Sequence, residues 1–177
     1  VFEPGRIELL LSKPVERYHI LLGRYIGNVL VIASNIFYLV FAIWLIFGAK
    51  TGVWTRGFLW SSVLIVFIFS VLLTVVVLVG VLWESAVVST MVTFALMMMS
   101  PILAQQRILE RLLTSEWSRN IIRVLYYALP KVFDVGRMAR ELVLGNPVTS
   151  WMPVWSSALF GVVILSAGLY VFARRNY

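Results

Sequence analysis

The residues able to do chemistry are few in this chain, and they do not form a catalytic set. There is one histidine, His19, and no cysteine. A lone imidazole with no partner at ligand spacing reads as a surface residue, not as a base or a metal ligand. The absence of cysteine excludes disulfides and thiolate metal sites and says nothing about compartment. No G-x-x-x-x-G-K-[ST] loop is present to cradle a nucleotide phosphate. The chain therefore has no nucleotide site of that kind, and no cofactor or metal is expected in it.

The charged residues are informative through their placement. No Asp, Glu, Lys or Arg occurs between Arg24 and Lys50, Arg56 and Glu84, Glu84 and Arg107, or Glu141 and Arg174. A bilayer core of about 30 Å takes roughly 20 apolar residues as a helix, and each interval supplies that many. The runs are continuous, without the short alternating segments of a β-barrel. With 61% hydrophobic and 13% charged residues, the composition lies far from the roughly 25% charge of soluble domains. The fold class expected is an all-α, polytopic membrane protein with spans at 25–47, 58–81, 86–103 and 154–172. Trp54, Trp60, Trp83, Trp151 and Trp155 fall near span ends, as an interfacial aromatic belt requires. Intramembrane ionisable residues usually mark proton relays. Their absence weighs against a self-sufficient proton-driven carrier.

Weaker signals lie in the spans or at their starts. Gly23 and Gly27 are four apart, a spacing that lets helices approach closely. Asn28 and Asn35, seven apart, share one face of the first span, where an amide in lipid wants a partner helix or water. Ser85, Ser89, Thr93 and Ser100 form a stripe on the third span. It would line a polar path or pack against a neighbouring helix. Ser100-Pro101 is expected to kink that span.

The elements that would position these residues are legible from turn signals. Trp83-Glu84-Ser85 makes a very tight turn between the second and third spans. The long connection, 105–153, carries Ile108, Leu109, Leu112, Leu113, Trp117, Ile121 and Leu125 at helical spacing, with charges between them. This predicts an amphipathic helix, with a break at Thr114-Ser115, ended by Pro130. A second helix is expected from Asp134 to Leu144, with Asp134 as N-cap and Gly145 just past its end. Their apolar faces would be covered by the membrane surface or by the span ends. Before the first span, Ser12-Lys13-Pro14 breaks one short helix and starts another. This makes an elbow beside the membrane over 1–24. The chain starts at Val1 with no signal-peptide pattern, and further sequence upstream is expected.

The net charge of +7 is spread over segments flanking the spans. It suits anionic lipid headgroups and a partner protein, not nucleic acid. The terminal segments hold six of the fifteen Lys and Arg, and the two connections on the other side hold the remaining nine. A bare positive-inside count would place the long connection in the cytoplasm.

The run from Gly5 to Asn28 resembles the cytoplasmic elbow of permease subunits of type-2 ABC exporters. In that family a Leu-Leu-Ser-x-Pro-[Val/Ile]-x-Arg core precedes a helix ending Gly-[Lys/Arg]-[Tyr/Phe]-x-Gly. The matching residues are Glu8, Leu10, Leu11, Ser12, Pro14, Val15, Arg17, Gly23, Arg24, Tyr25 and Gly27. Arg6 departs from the pattern, standing where many members have Thr. The chain is most similar to the six-span bacterial branch that includes the nitrous-oxide-reductase maturation permeases. Its four spans would be the third to sixth of that branch, and the first two would lie upstream. Tyr126-Tyr127-Ala128-Leu129-Pro130 resembles the family's outer-face helices, and the ending Phe172–Tyr177 resembles its cytoplasmic one.

The resemblance implies a transport subunit in the inner membrane with both termini cytoplasmic and 105–153 outside, against the charge count. It implies an ABC ATPase subunit as partner, holding ATP and Mg, and a second permease chain. Glu8, Leu11, Ser12, Lys13, Pro14 and Arg17 would form the ATPase contact. Asn28, Asn35, Ser89, Thr93 and Ser100 would line the path or pack helices. A non-transporting scaffold or receptor that binds through its outer helices is the alternative.

Overall fold

A computed structural model describes residues 17–105, 116–148 and 150–174. Six helices account for most of them: α1 (Arg17–Thr51), α2 (Arg56–Trp83), α3 (Ala86–Ala104), α4 (Glu116–Ala128), α5 (Val132–Val143) and α6 (Met152–Arg174). Four, α1, α2, α3 and α6, are long and apolar enough to cross a membrane. The shortest, α3, has 19 residues, about 28 Å at 1.5 Å per residue, which matches a bilayer core. With 35 residues, α1 exceeds the core and carries its polar Arg17 end clear of the hydrocarbon.

The most apolar span, α2, is the hub. It packs against α1, α3, α5 and α6. On α6 the contact surface is made of small residues. Ser157, Gly161 and Gly168 are buried, and a Cβ on Gly161 or Gly168 would sit 3.4 Å from Val71 or 3.5 Å from Leu78. Missing side chains let two backbones come close, and van der Waals contact then holds them where no hydrophobic drive exists in lipid. The paired positions advance together along both chains, so α2 and α6 run parallel. The other side of α2 takes α1, where the Tyr25 hydroxyl donates to the Ser70 carbonyl at 3.1 Å.

The tight turn is present. Glu84 adopts φ +52° and its N–H reaches the Gly80 carbonyl at 3.0 Å, while the Ser85 hydroxyl caps α3 by accepting from Val88 N–H. At the opposite end of α2, the helix that carries the first span continues past Phe47 to Thr51. Gly48 leaves room for the Trp54 ring, and Gly52, at φ +72°, supplies the left-handed stop. Trp44 then donates to the Thr55 carbonyl at 3.2 Å and meets Trp54 edge-on at 4.7 Å.

Of the seven tryptophans, only Trp83 lies at the end of the bundle that holds Arg17 and Arg174. The other six lie at or on the connections of the opposite end, and Trp54, Trp60, Trp117, Trp151 and Trp155 are exposed there.

The long connection provides α4 and α5 at this tryptophan-rich end. Val135 is 1% exposed, and with Met138 and Ala139 it packs on Leu64, Phe67 and Ile68 of α2. The span ends therefore cover the apolar face of α5. Close approach depends on Gly57, where a Cβ would fall on the Leu142 carbonyl. Pro130 follows α4 as expected, and Gly145, at φ +76°, follows α5. The start of α5 differs from the sequence expectation. Asp134 lies in its first turn, and Lys131 occupies the N-cap position without a side-chain capping bond. The elbow residues Glu8, Leu11, Ser12, Lys13 and Pro14, and the expected break at Thr114-Ser115, lie outside the described residues.

Candidate functional site

Most hydroxyls in the spans turn back on their own helix. Ser61, Ser62, Ser70 and Thr74 donate to the carbonyl three residues earlier, and Ser89, Thr90 and Thr93 to the one four earlier. A hydroxyl satisfied this way is silent in an apolar seam.

Ser100 and Ser157 behave differently. The Ser100 hydroxyl accepts from Phe133 N–H at 2.9 Å, and the Ser157 hydroxyl accepts from Lys131 N–H at 3.0 Å. They stand on α3 and α6, and both reach the first turn of α5. A helix leaves its first N–H groups without partners inside itself. Here α3 satisfies the Phe133 N–H and α6 holds the N-cap residue Lys131, while the Val132 N–H turns back to the Pro130 carbonyl at 3.0 Å, so the helix starts at Val132 with no side-chain cap of its own.

The same corner holds a buried cation. Lys131 is 3% exposed. Its ammonium donates to the Met152 sulfur at 3.1 Å and lies 4.3 Å from the centre of the Tyr126 ring and 5.0 Å from that of Tyr127. The Asp134 carboxylate accepts from the Tyr126 hydroxyl at 3.1 Å. Burial lowers the Lys131 pKa below its ordinary value, and attraction to Asp134 opposes the shift. Soft partners of this kind stabilise a cation less than a paired carboxylate would.

The cleft between Ser100, Leu103, Tyr126, Leu129, Pro130, Lys131 and Asp134 has a volume of roughly 10 Å³, the room of a single water. It cannot admit an organic solute. The geometry is that of a joint between α3, α4, α5 and α6.

The residues singled out in the sequence do not converge on one place. Ser89 is 1% exposed and its hydroxyl lies 3.3 Å from where a Gly80 Cβ would be, so it packs the α2–α3 seam near the tight turn. Thr93 is half-buried along the same stripe, and Ser100 ends it in the joint. Asn28 and Asn35 remain exposed on the outer face of α1, where the Asn35 amide donates to the Val31 carbonyl at 2.8 Å. A Cβ on Gly23 or Gly27 would meet nothing within 4 Å, so this face is not packed within the described chain. Arg17 begins α1. Lys131 and Ser157 carry no motif that marks them in the sequence. One available signal was a lysine directly after Pro130, between two apolar-faced helices.

No curated protein and no solved structure matches the chain. A family model described as ABC-2 family transporter protein matches residues 2–177. That match covers nearly the whole chain and agrees with the four apolar helices, so the chain belongs to the ABC-2 family of transporters and is a multi-pass permease of the membrane.

Proposed function

We propose that this permease is the membrane half of an ATP-driven exporter and is powered by a separate ABC ATPase subunit that binds ATP and Mg. The family match over residues 2–177 carries the reading, and the elbow's likeness to the six-span bacterial branch refines it. Two permease chains pair with two ATPase chains, because closed symmetric pairing is the default for such assemblies. The complex sits in the inner membrane with Arg17 and Arg174 towards the cytoplasm. Closure of the ATPase dimer carries the elbow with it, and the spans rock between inward and outward states as rigid bodies.

Glu8, Leu11, Ser12, Lys13, Pro14 and Arg17 form the coupling contact. Leu11 offers apolar surface to a groove, Pro14 fixes the angle of the elbow, and Arg17 pairs with a carboxylate. The test is the double substitution Leu11→Ala with Arg17→Ala. The permease should insert normally while ATPase association or ATP-driven transport falls sharply. Undiminished association and transport in a normally folded complex would remove the elbow from the mechanism.

A further inference from the structure

The two unusual serines join elements that otherwise have little to do with one another. Each of α3 and α6 packs on the hub α2, and α5 bridges them, packing against α2, α3 and α6. The polar part of that bridge is narrow. It consists of Phe133 N–H to Ser100 on one side and Lys131 N–H to Ser157 on the other. Both acceptors are buried, Ser100 at 5% and Ser157 at 0% exposure. The Lys131 ammonium adds a second contact to α6 through the Met152 sulfur.

We propose that the first turn of α5 is a clasp. It holds the ends of α3 and α6 in one relative position, and its release is a step in opening the tryptophan-rich end of the permease. The role in opening rests on the transport reading above; the clasp itself rests on the geometry. A buried N–H···O bond does not stretch gradually. Once α3 and α6 part beyond hydrogen-bond reach, one amide is left unpaired in an apolar seam, or the first turn of α5 must unwind to follow. The joint therefore has two states, which is what rigid-body switching needs. The distribution of hydroxyls supports the assignment. Ser100 and Ser157 turn towards another element, whereas Ser89 and Thr93, in the same stripe as Ser100, bond only within α3.

This chain has no cysteine, so a pair of labels can be placed in it without removing native ones. The exposed residues Ile102 on α3 and Leu159 on α6 would be changed to Cys and spin-labelled. The full permease with its co-purified ATPase, diluted with unlabelled permease, would be measured in lipid nanodiscs by pulsed EPR. With both serines intact and no nucleotide, one narrow distance distribution is expected. Ser100→Ala with Ser157→Ala should add a longer-distance population. Thr93→Ala, which removes a hydroxyl bonded only to its own helix backbone, should leave the narrow distribution unchanged. If the double alanine variant does not fold, either single alanine variant is read the same way.

A distribution unchanged by loss of the hydroxyls in folded protein would overturn the clasp. ATP added to the parent should populate the same longer distance. If the alanine variants lengthen the distance and ATP does not, in a complex that does transport, release is not part of the cycle and that half of the proposal is overturned. A complex that hydrolyses ATP without transport, yet widens on serine removal, would count against the transport reading and leave the clasp standing.

Discussion

Two neighbouring helices, α4 and α5, have nearly the same amphipathic character and opposite fates. The apolar face of α5 is buried on α2 through Val135, Met138 and Ala139. The apolar face of α4 is open: Trp117 is 79% exposed, and Ile121 and Val124 share its surface. Amphipathicity states that a face needs cover, but the shape of the neighbour decides which face is covered by protein. For α5 the neighbour has Gly57, which lets the helix end come down until its Leu142 carbonyl touches the hub. For α4 the packed span is α3, and its indole-bearing face is left at the level where the other exposed tryptophans stand.

The largest effect should come from removing the shape that separates the two. Gly57→Leu drives a side chain into the Leu142 backbone, and strain of this kind costs about 3 kcal/mol. Loss of the monodisperse peak in detergent size-exclusion chromatography is expected. A normally folded variant would show that α5 does not need this approach.

Next, Met138→Ala on α5 should cost about 2–5 kcal/mol as a buried truncation. The matched Val124→Ala on α4 should stay within about 0.5 kcal/mol. Thermal unfolding in the same detergent measures both, and equal effects would erase the contrast.

Ser100→Ala leaves the Phe133 N–H buried without its acceptor and should lower stability by about 1–3 kcal/mol. No comparable loss should follow Thr93→Ala, whose hydroxyl bonds only within its own helix.

The smallest change at neutral pH is expected from Lys131→Met, since replacing a buried cation with an apolar side chain is often neutral or stabilising. The sign with pH is definite. The Lys131 pKa is lowered from 10.5 in the folded protein, so between the folded value and 10.5 the unfolded chain holds a proton that the folded chain has shed. Stability contributed by this group therefore rises with pH through that window. Melting temperatures of the parent should gain on those of Lys131→Met as pH is raised towards 10.5. Parallel pH profiles would refute the shift.

What was legible in the sequence follows the range of the interactions involved. Charge-free intervals gave the four spans because hydrocarbon excludes charge wherever it meets the chain. Glu84 and Gly145 announced a turn and a stop because their backbone conformations are local matters. The start of α5 escapes the local rule, which prefers Asp, Asn, Ser or Thr as N-cap and so points to Asp134. The actual acceptors, Ser100 and Ser157, lie 33 and 26 residues from the donors they serve. No window on the chain could contain them. Ser89 and Ser100 looked alike in a stripe on α3. Only the arrival of α5 separates a hydroxyl that is spent on its own helix from one that holds another.

The one-sided placement of the tryptophans also makes the permease an optical reporter. Six of the seven indoles of this chain belong to the end opposite Arg17 and Arg174, so most of its intrinsic emission comes from one leaflet. In sealed vesicles, iodide added outside would quench most of the fluorescence of molecules inserted one way round and little of that from molecules inserted the other way. Acyl chains brominated near the headgroup in a single leaflet would do the same from within the bilayer. The chain thus carries an unlabelled readout of its own sidedness, and changes at the tryptophan-rich end would be recorded against the single indole of Trp83 on the opposite face.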